Sequence, residues 1–279
     1  MKRILIPTDF SENSSNAIEY GLQLFKKSKC LFYLLHINPI PPYSGAGTSI
    51  RSSGSELQKA YLEESKKRIH ALLCKIEERN ANTLHSFKTI ALYDFFVDGI
   101  NAEVEKNNID MIIMGTKGAT GFKGAVVGSN TGDVITKVKC PLLAIPEDAL
   151  YKRIKEIAFP TDYHMTYDMK VLDTLSAMAV MNKAILRIVH ISIKGEKLNE
   201  EQESNKEFLH DYLRGIDHSF HLVRGNRLET SIQCFVDSRE IDMVAMVAKN
   251  LNYFQRILFK PSVEEISYHT EIPFLVLHE

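Results

Sequence analysis

Apolar residues follow two alternating rhythms along the chain. Short runs such as ILIP at 4–7, CLFYLLHI at 30–37 and MIIM at 111–114 are almost unbroken, as in strands covered on both faces. Longer stretches place apolar residues three and four apart. In AYLEESKKRIHALLCKIEE, Leu62, Ile69, Leu72, Leu73 and Ile76 form one stripe, the pattern of a helix with a single buried face. The runs predict strands at Arg3–Thr8, Cys30–Ile37, Leu84–Ala91, Met111–Met114 and Leu142–Ile145, with helices between them. That alternation implies an α/β fold with a mainly parallel, doubly wound sheet and right-handed crossovers. In such sheets ligands bind beyond the carboxyl ends of the strands, at the point where strand order reverses.

The same pattern occurs twice. ILIPTDF at 4–10 returns as IAFPTDY at 157–163, an offset of 153. His36-Ile37 returns as His190-Ile191, Ile109–Met111 as Ile241–Met243, and Pro141-Leu-Leu as Pro273-Phe-Leu. Four anchors in one order describe a tandem repeat, with domains expected at 1–148 and 149–279 and a five-stranded sheet in each. The offset falls from 154 to 132 between the second and third anchors, so the first copy carries 22 extra residues. The extra length fits NPIPPYSGAGTSIRSSGSE, 38–56, which reads as a loop with polyproline character. It is either a passive linker or a lid near a ligand site.

Composition narrows the function. The 279 residues are 44% hydrophobic and 25% charged, with a formal net charge of −1. Nothing in that balance draws the protein to nucleic acid or to an anionic membrane. No apolar run reaches the roughly 18 to 20 residues of a membrane span. MKRILIPTDF enters a strand pattern directly, so the expected compartment is the cytoplasm. Cys30, Cys74, Cys140 and Cys234 lie far apart with no C-x-x-C pair, the distribution of buried or incidental reduced thiols rather than of a metal or redox motif.

The candidate chemistry sits after the fourth strand. Residues 115–132 hold six of the fourteen glycines. Glycine lets backbone N–H groups approach a ligand with no Cβ in the way, and successive N–H groups form an anion-binding concavity. A helix predicted from about Ser129 adds its free N–H groups and dipole. Ser129, Asn130 and Thr131 add donors, and Lys117 and Lys123 add charge. The plain alternative is a strand–helix connection, but such loops usually have only two to six residues.

The spacing Gly115-x2-Gly118-x9-Gly128-Ser129 fits neither a Walker A loop nor G-x-G-x-x-G. It resembles the ATP-binding motif of the universal stress protein family, G-x2-G-x9-G-[S/T]. PTDFSENSSNAIEYG and the LLHI end of the second strand are similar to that family as well. The resemblance covers both halves and implies the universal stress protein fold, of the adenine nucleotide alpha-hydrolase-like kind, in tandem. It further implies that Pro7 and Thr8 line a nucleotide cleft and that Asp9 lies by the ribose or a metal-bound phosphate. Ile37 would offer backbone groups to adenine, and Gly115, Gly118, Gly128, Ser129 and Asn130 would hold ribose and phosphates. ATP is the implied ligand, with Mg2+ bridging its phosphates. Two local alternatives stand beside these roles. Asp9 with Glu12 has the spacing of a capping box, and His36 and His190 read as hydrogen-bonded strand-end residues.

Aligned on IDM, the second copy puts Val247, Asn250, Lys260 and Pro261 where the first has Gly115, Gly118, Gly128 and Ser129, and 247–264 contain no glycine. One nucleotide site per chain is therefore expected, with a structural or partner-binding role for the second copy. Enzymes of similar architecture carry S-G-G-x-D-S or H-x-G-H after an early strand; PTDFSENS has neither. The expected function is regulation through bound ATP. The alternatives are a nucleotide-independent interaction scaffold and a slow ATP hydrolase. The fifth strands, PLLAIP and PFLVLH, are expected to pair as an intramolecular pseudo-dimer, with a homodimer or another protein as further partner.

Overall fold

The computed structural model describes residues 1–40, 51–116, 128–164, 168–193, 195, 197–248 and 272–278; at 51–55 and 229 the backbone alone is described. They divide into two compact units, one extending through the first repeat to Cys140 and the other starting its continuous part at Pro141.

The first unit runs β1 (Lys2–Pro7), α1 (Glu12–Leu24), β2 (Cys30–Pro39), α2 (Arg51–Arg79), β3 (His85–Asp94), α3 (Phe96–Asn107), β4 (Met111–Gly115) and α4 (Ser129–Lys137). Its strands lie in the order β3-β2-β1-β4, all parallel. Ile4, Leu5, Ile6, Ile112 and Ile113 are fully buried, as their unbroken runs require. α1 lies close over β4 because Gly21 has no side chain: a Cβ there would stand 2.8 Å from Ile113 Cδ1. Strand order reverses at β1, since β1 leads to β2 on one side while the chain returns to β4 on the other. β1 and β4 pair only at Ile4↔Met111 and Leu5↔Ile112. Thr8 N–H donates to Leu35 O at 2.8 Å, so alternation turns the nitrogen of Pro7 toward β4, where a proline has no hydrogen to give. The two strands therefore part after Leu5.

The second unit contains β5 (Leu142–Ile145), β6 (Glu156–Pro160), α5 (Met169–Asn182), β7 (Ile185–Ile193), α6 (Glu200–Tyr212), β8 (His218–Gly225), α7 (Leu228–Ser238), β9 (Met243–Val247) and β10 (Phe274–Leu277). The order is β5-β10-β9-β6-β7-β8. All are parallel except β5, which runs antiparallel to β10 with Ala144 opposite Phe274 and Leu142 opposite Val276. A half-buried ion pair ties β6 to β7: Arg187 donates to both carboxylate oxygens of Glu156, at 2.5 and 2.8 Å.

The stretch expected as a loop, 38–56, is only partly one. β2 continues to Pro39, and α2 already begins at Arg51. Leu35 faces β1, so Pro39 turns its missing N–H to the side where β1 has ended, and the proline costs no ladder bond. Much of the extra length enters the second helix, which has 29 residues in α2 and 13 in α6. Residues 41–50, where the lid expectation mainly falls, lie outside the described residues, as do Lys117, Gly118, Lys123 and most of 247–264.

Candidate functional site

The crevice where β1 and β4 part collects most of the anticipated residues of the first unit. The turn after β1 is built by local hydrogen bonds. Thr8, buried, places its hydroxyl 2.9 Å from Ser14 Oγ and accepts from Phe10 N–H at 3.0 Å. Asp9 is exposed, and its carboxylate accepts from the Ser11 N–H at 3.0 Å and the Ser11 hydroxyl at 2.5 Å. The chain reverses through Phe10 at φ 65°. Ser11 then caps α1, accepting from Ser14 N–H. The capping box suggested by Asp9 and Glu12 does not form: Asp9 lies two residues ahead of the cap and serves the turn instead.

His36 locks this turn to β2. A carbonyl can only accept, so His36 Nδ1–H donates to Thr8 O, at 2.7 Å, and the Phe10 and His36 rings lie 4.6 Å apart. Ile37 follows in β2 with its side chain buried. Its peptide shares the alternation of Leu35 and faces the space beyond the last residue of β1, which leaves a backbone donor and acceptor at the crevice.

Across the crevice, Gly115 ends β4. An added Cβ would meet the Asn13 carboxamide at 2.7 to 2.9 Å, so glycine is what lets Asn13 of α1 lie over the end of β4. Gly115 O accepts from the Thr131 hydroxyl at 2.8 Å, and Gly128 N–H donates to Thr116 O. The two ends of the glycine stretch are thus held together. α4 starts with Gly128 as its cap, without a side-chain capping bond and without an acidic residue in its first turn. Ser129 and Asn130 are exposed there. A first turn of this kind offers uncapped N–H groups and a positive dipole end. Thr131, expected as a donor to the ligand, gives its hydroxyl proton to Gly115 O instead, while Asn13 and Thr116 were not anticipated as parts of the site. Their placement depends on contacts made only once β1, β4 and two helices meet.

The second unit repeats four bonds of the turn. Thr161 N–H donates to Val189 O, Tyr163 N–H to Thr161 Oγ1, and His164 N–H to Asp162 Oδ1. His190 Nδ1–H donates to Thr161 O at 3.0 Å, and Tyr163 has φ 58°. Pro-Thr-Asp is therefore first of all the recipe for this strand–helix turn. Both strand-end histidines are engaged through Nδ1 with threonine carbonyls.

The remaining candidate chemistry is plain. All four cysteines are free. Burial pushes the Cys30 thiol up to about 11 and the Cys140 thiol to about 12, so both stay protonated. Among the described residues no group of three or more His, Cys, Asp or Glu side chains is arranged to hold a metal ion. Among them, too, no helix is long and apolar enough to cross a membrane.

Fold and crevice together define a tandem, doubly wound α/β protein with an open helix terminus at its strand-order switch. Residues 1–146 match the universal stress protein family, and the chain belongs to that family. It is 30% identical over 162 residues to universal stress protein MJ0577 of Methanocaldococcus jannaschii, covering 52% of this chain and 94% of that protein. Universal stress protein MJ0531 of the same organism is 29% identical over 145 residues, with 52% and 81% covered. The solved structure of a universal stress protein from Archaeoglobus fulgidus shares the fold along 99% of this chain and 98% of that one, with a TM-score of 0.70 at 17% identity.

Proposed function

We propose that the first repeat binds one adenine nucleotide, ATP with Mg2+, and that the bound nucleotide regulates the protein's interactions. The observation that carries this reading is the uncapped first turn of α4 beside Gly115 at the crevice between β1 and β4. Uncapped N–H groups at a helix start favour phosphate, and the spacing from Gly115 to Ser129 resembles the family's ATP motif. In this reading Gly115, Gly118, Gly128, Ser129 and Asn130 take the phosphates and ribose. Thr8 and Pro7 form the wall of the crevice, and the Ile37 peptide meets the adenine edge. Asp9 presents its carboxylate toward the ribose or the magnesium-bound phosphate. Mg2+ would be held chiefly by phosphate oxygens and water.

The second repeat keeps the turn but not the glycines, and its role in the proposal is structural: β5 of the first repeat pairs with β10 of the second, as in an intramolecular pseudo-dimer. The cytoplasm is the proposed compartment. Calorimetric titration with Mg-ATP tests the reading. It should give about one site per chain, and Gly118→Val with Gly128→Val should abolish the heat while circular dichroism stays unchanged. Two equal sites, or binding that survives the double change, would overturn it.

A further inference from the structure

The second unit holds a cavity of about 360 Å3 under α6 that the proposed nucleotide site does not use. Its floor is the end of β7 and the edge strand β8. Alternation turns His190 and Ser192 to this side of the sheet and Ile191, the counterpart of Ile37, to the other. The cavity therefore lies on the sheet face opposite the Ile191 side chain. Tyr163 stacks on His190, with centroids 5.2 Å apart and planes at 23°, and Phe220 lines the side toward β8.

In the first unit α2 contacts the matching turn and strand end. There Arg68 of α2 lies 4.0 Å above the Phe10 ring. Ser65 donates to the side chain of Asn38, which in turn donates to Leu92 O. In the second unit Ser192 stands at the place of Asn38, and the shorter α6 is anchored elsewhere: Gln202 donates to Asp162 O at 2.7 Å. The turn and its aromatic ring are repeated, and in the second unit a cavity lies beside them.

Charge around the opening is one-sided. Among the described residues Lys197, Lys206 and Arg224 line it, against one carboxylate, Glu203, which pairs with Lys206 at 3.3 Å. We propose that this cavity binds a small planar aromatic anion, one or two rings bearing a phosphate or carboxylate. The ring would lie among Tyr163, His190 and Phe220, in the offset or edge contacts aromatic groups prefer, and the acid would reach the cations at the rim. A volume near the lower end for small-molecule sites suits a compound of that size.

Fluorescence titration of the full chain with 1-naphthyl phosphate and 1-naphthoate tests this. At least one of the two should bind saturably, once per chain. Neutral 1-naphthol and inorganic phosphate should each bind at least tenfold more weakly. Lys206→Gln with Arg224→Gln, both on the surface, should weaken binding tenfold or more without changing the circular dichroism spectrum, and Mg-ATP should not displace the probe. The proposal fails if neither acid saturates by millimolar concentration, if 1-naphthol binds equally well, if the double variant binds unchanged, or if Mg-ATP competes.

Discussion

Replacing Gly115 with alanine tests how the crevice is assembled, whatever it binds. The new Cβ would stand 2.7 Å from Asn13 Oδ1, 2.8 Å from Cγ and 2.9 Å from Nδ2. Ordinary contact begins near 3.5 Å, so the carboxamide must retreat by roughly 0.7 Å. Asn13 is only 6% exposed, in the first turn of α1, and cannot swing into water without moving the helix. Overpacking of this kind costs about 1–3 kcal/mol. With two units in the chain, a single unfolding transition is not a safe measure. Native-state hydrogen exchange of α1 and β4 amides reads the opening of the first unit directly, and it should quicken about 5- to 150-fold. The same change made in an Asn13→Ala background should cost less than about 0.5 kcal/mol, because the colliding group is gone. Equal costs in the two backgrounds would refute the contact as the cause.

Other expectations concern charge and thiols. Aromatic disulfide reagents at pH 8 should label Cys74 and Cys234, which are exposed, well before the buried Cys30 and Cys140; four equal rates would contradict that burial. Burial lowers the pKa of His221, with Arg239 and Arg187 adding to the effect. A depressed histidine favours the neutral form, so its contribution to stability is intact above 6.5 and falls as pH drops from there through the folded pKa. An NMR titration should place the His221 midpoint below 6.5, and His221→Gln should flatten the acid slope of stability; a midpoint above 6.5 would reverse the sign. Glu156→Gln leaves the half-buried Arg187 guanidinium without its carboxylate, at a cost of about 1–3 kcal/mol read as faster native-state hydrogen exchange of the β6 and β7 amides; unchanged exchange would mean that the pair contributes nothing.

The fold was legible because its signals are periodic. Unbroken Ile and Leu runs marked β1 and β4, and matched pairs such as Thr8 with Thr161 exposed the duplication without any alignment to other proteins. The start of α2 was not legible. Pro39, Gly54 and the neighbouring serines read as punctuation, yet β2 reaches Pro39 on the side where no partner strand remains, and a helix runs through Gly54. Local propensity was overruled by the position of each residue relative to its neighbours. In the crevice, the glycine at 115 was legible as a type, whereas its reason, the Asn13 carboxamide above it, appears only in three dimensions. Asp9 shows the converse. Its carboxylate was expected at a ligand or in a capping box with Glu12, and in the turn it accepts from Ser11.

The antiparallel pairing of β5 with β10 sets a timetable for synthesis. Ala144 meets Phe274, so the partner of β5 is made about 130 residues later. At 5–20 residues per second, β5 waits roughly 6 to 26 s on the ribosome before β10 exists. For that interval Leu142–Ile145 is an apolar strand whose β10 edge is open, the kind of edge on which nascent chains pair with one another. Neighbouring chains on one polysome carry the same open edge at the same time. Slowing elongation between the repeats should therefore raise the yield of strand-swapped dimers, and speeding it should favour the monomer.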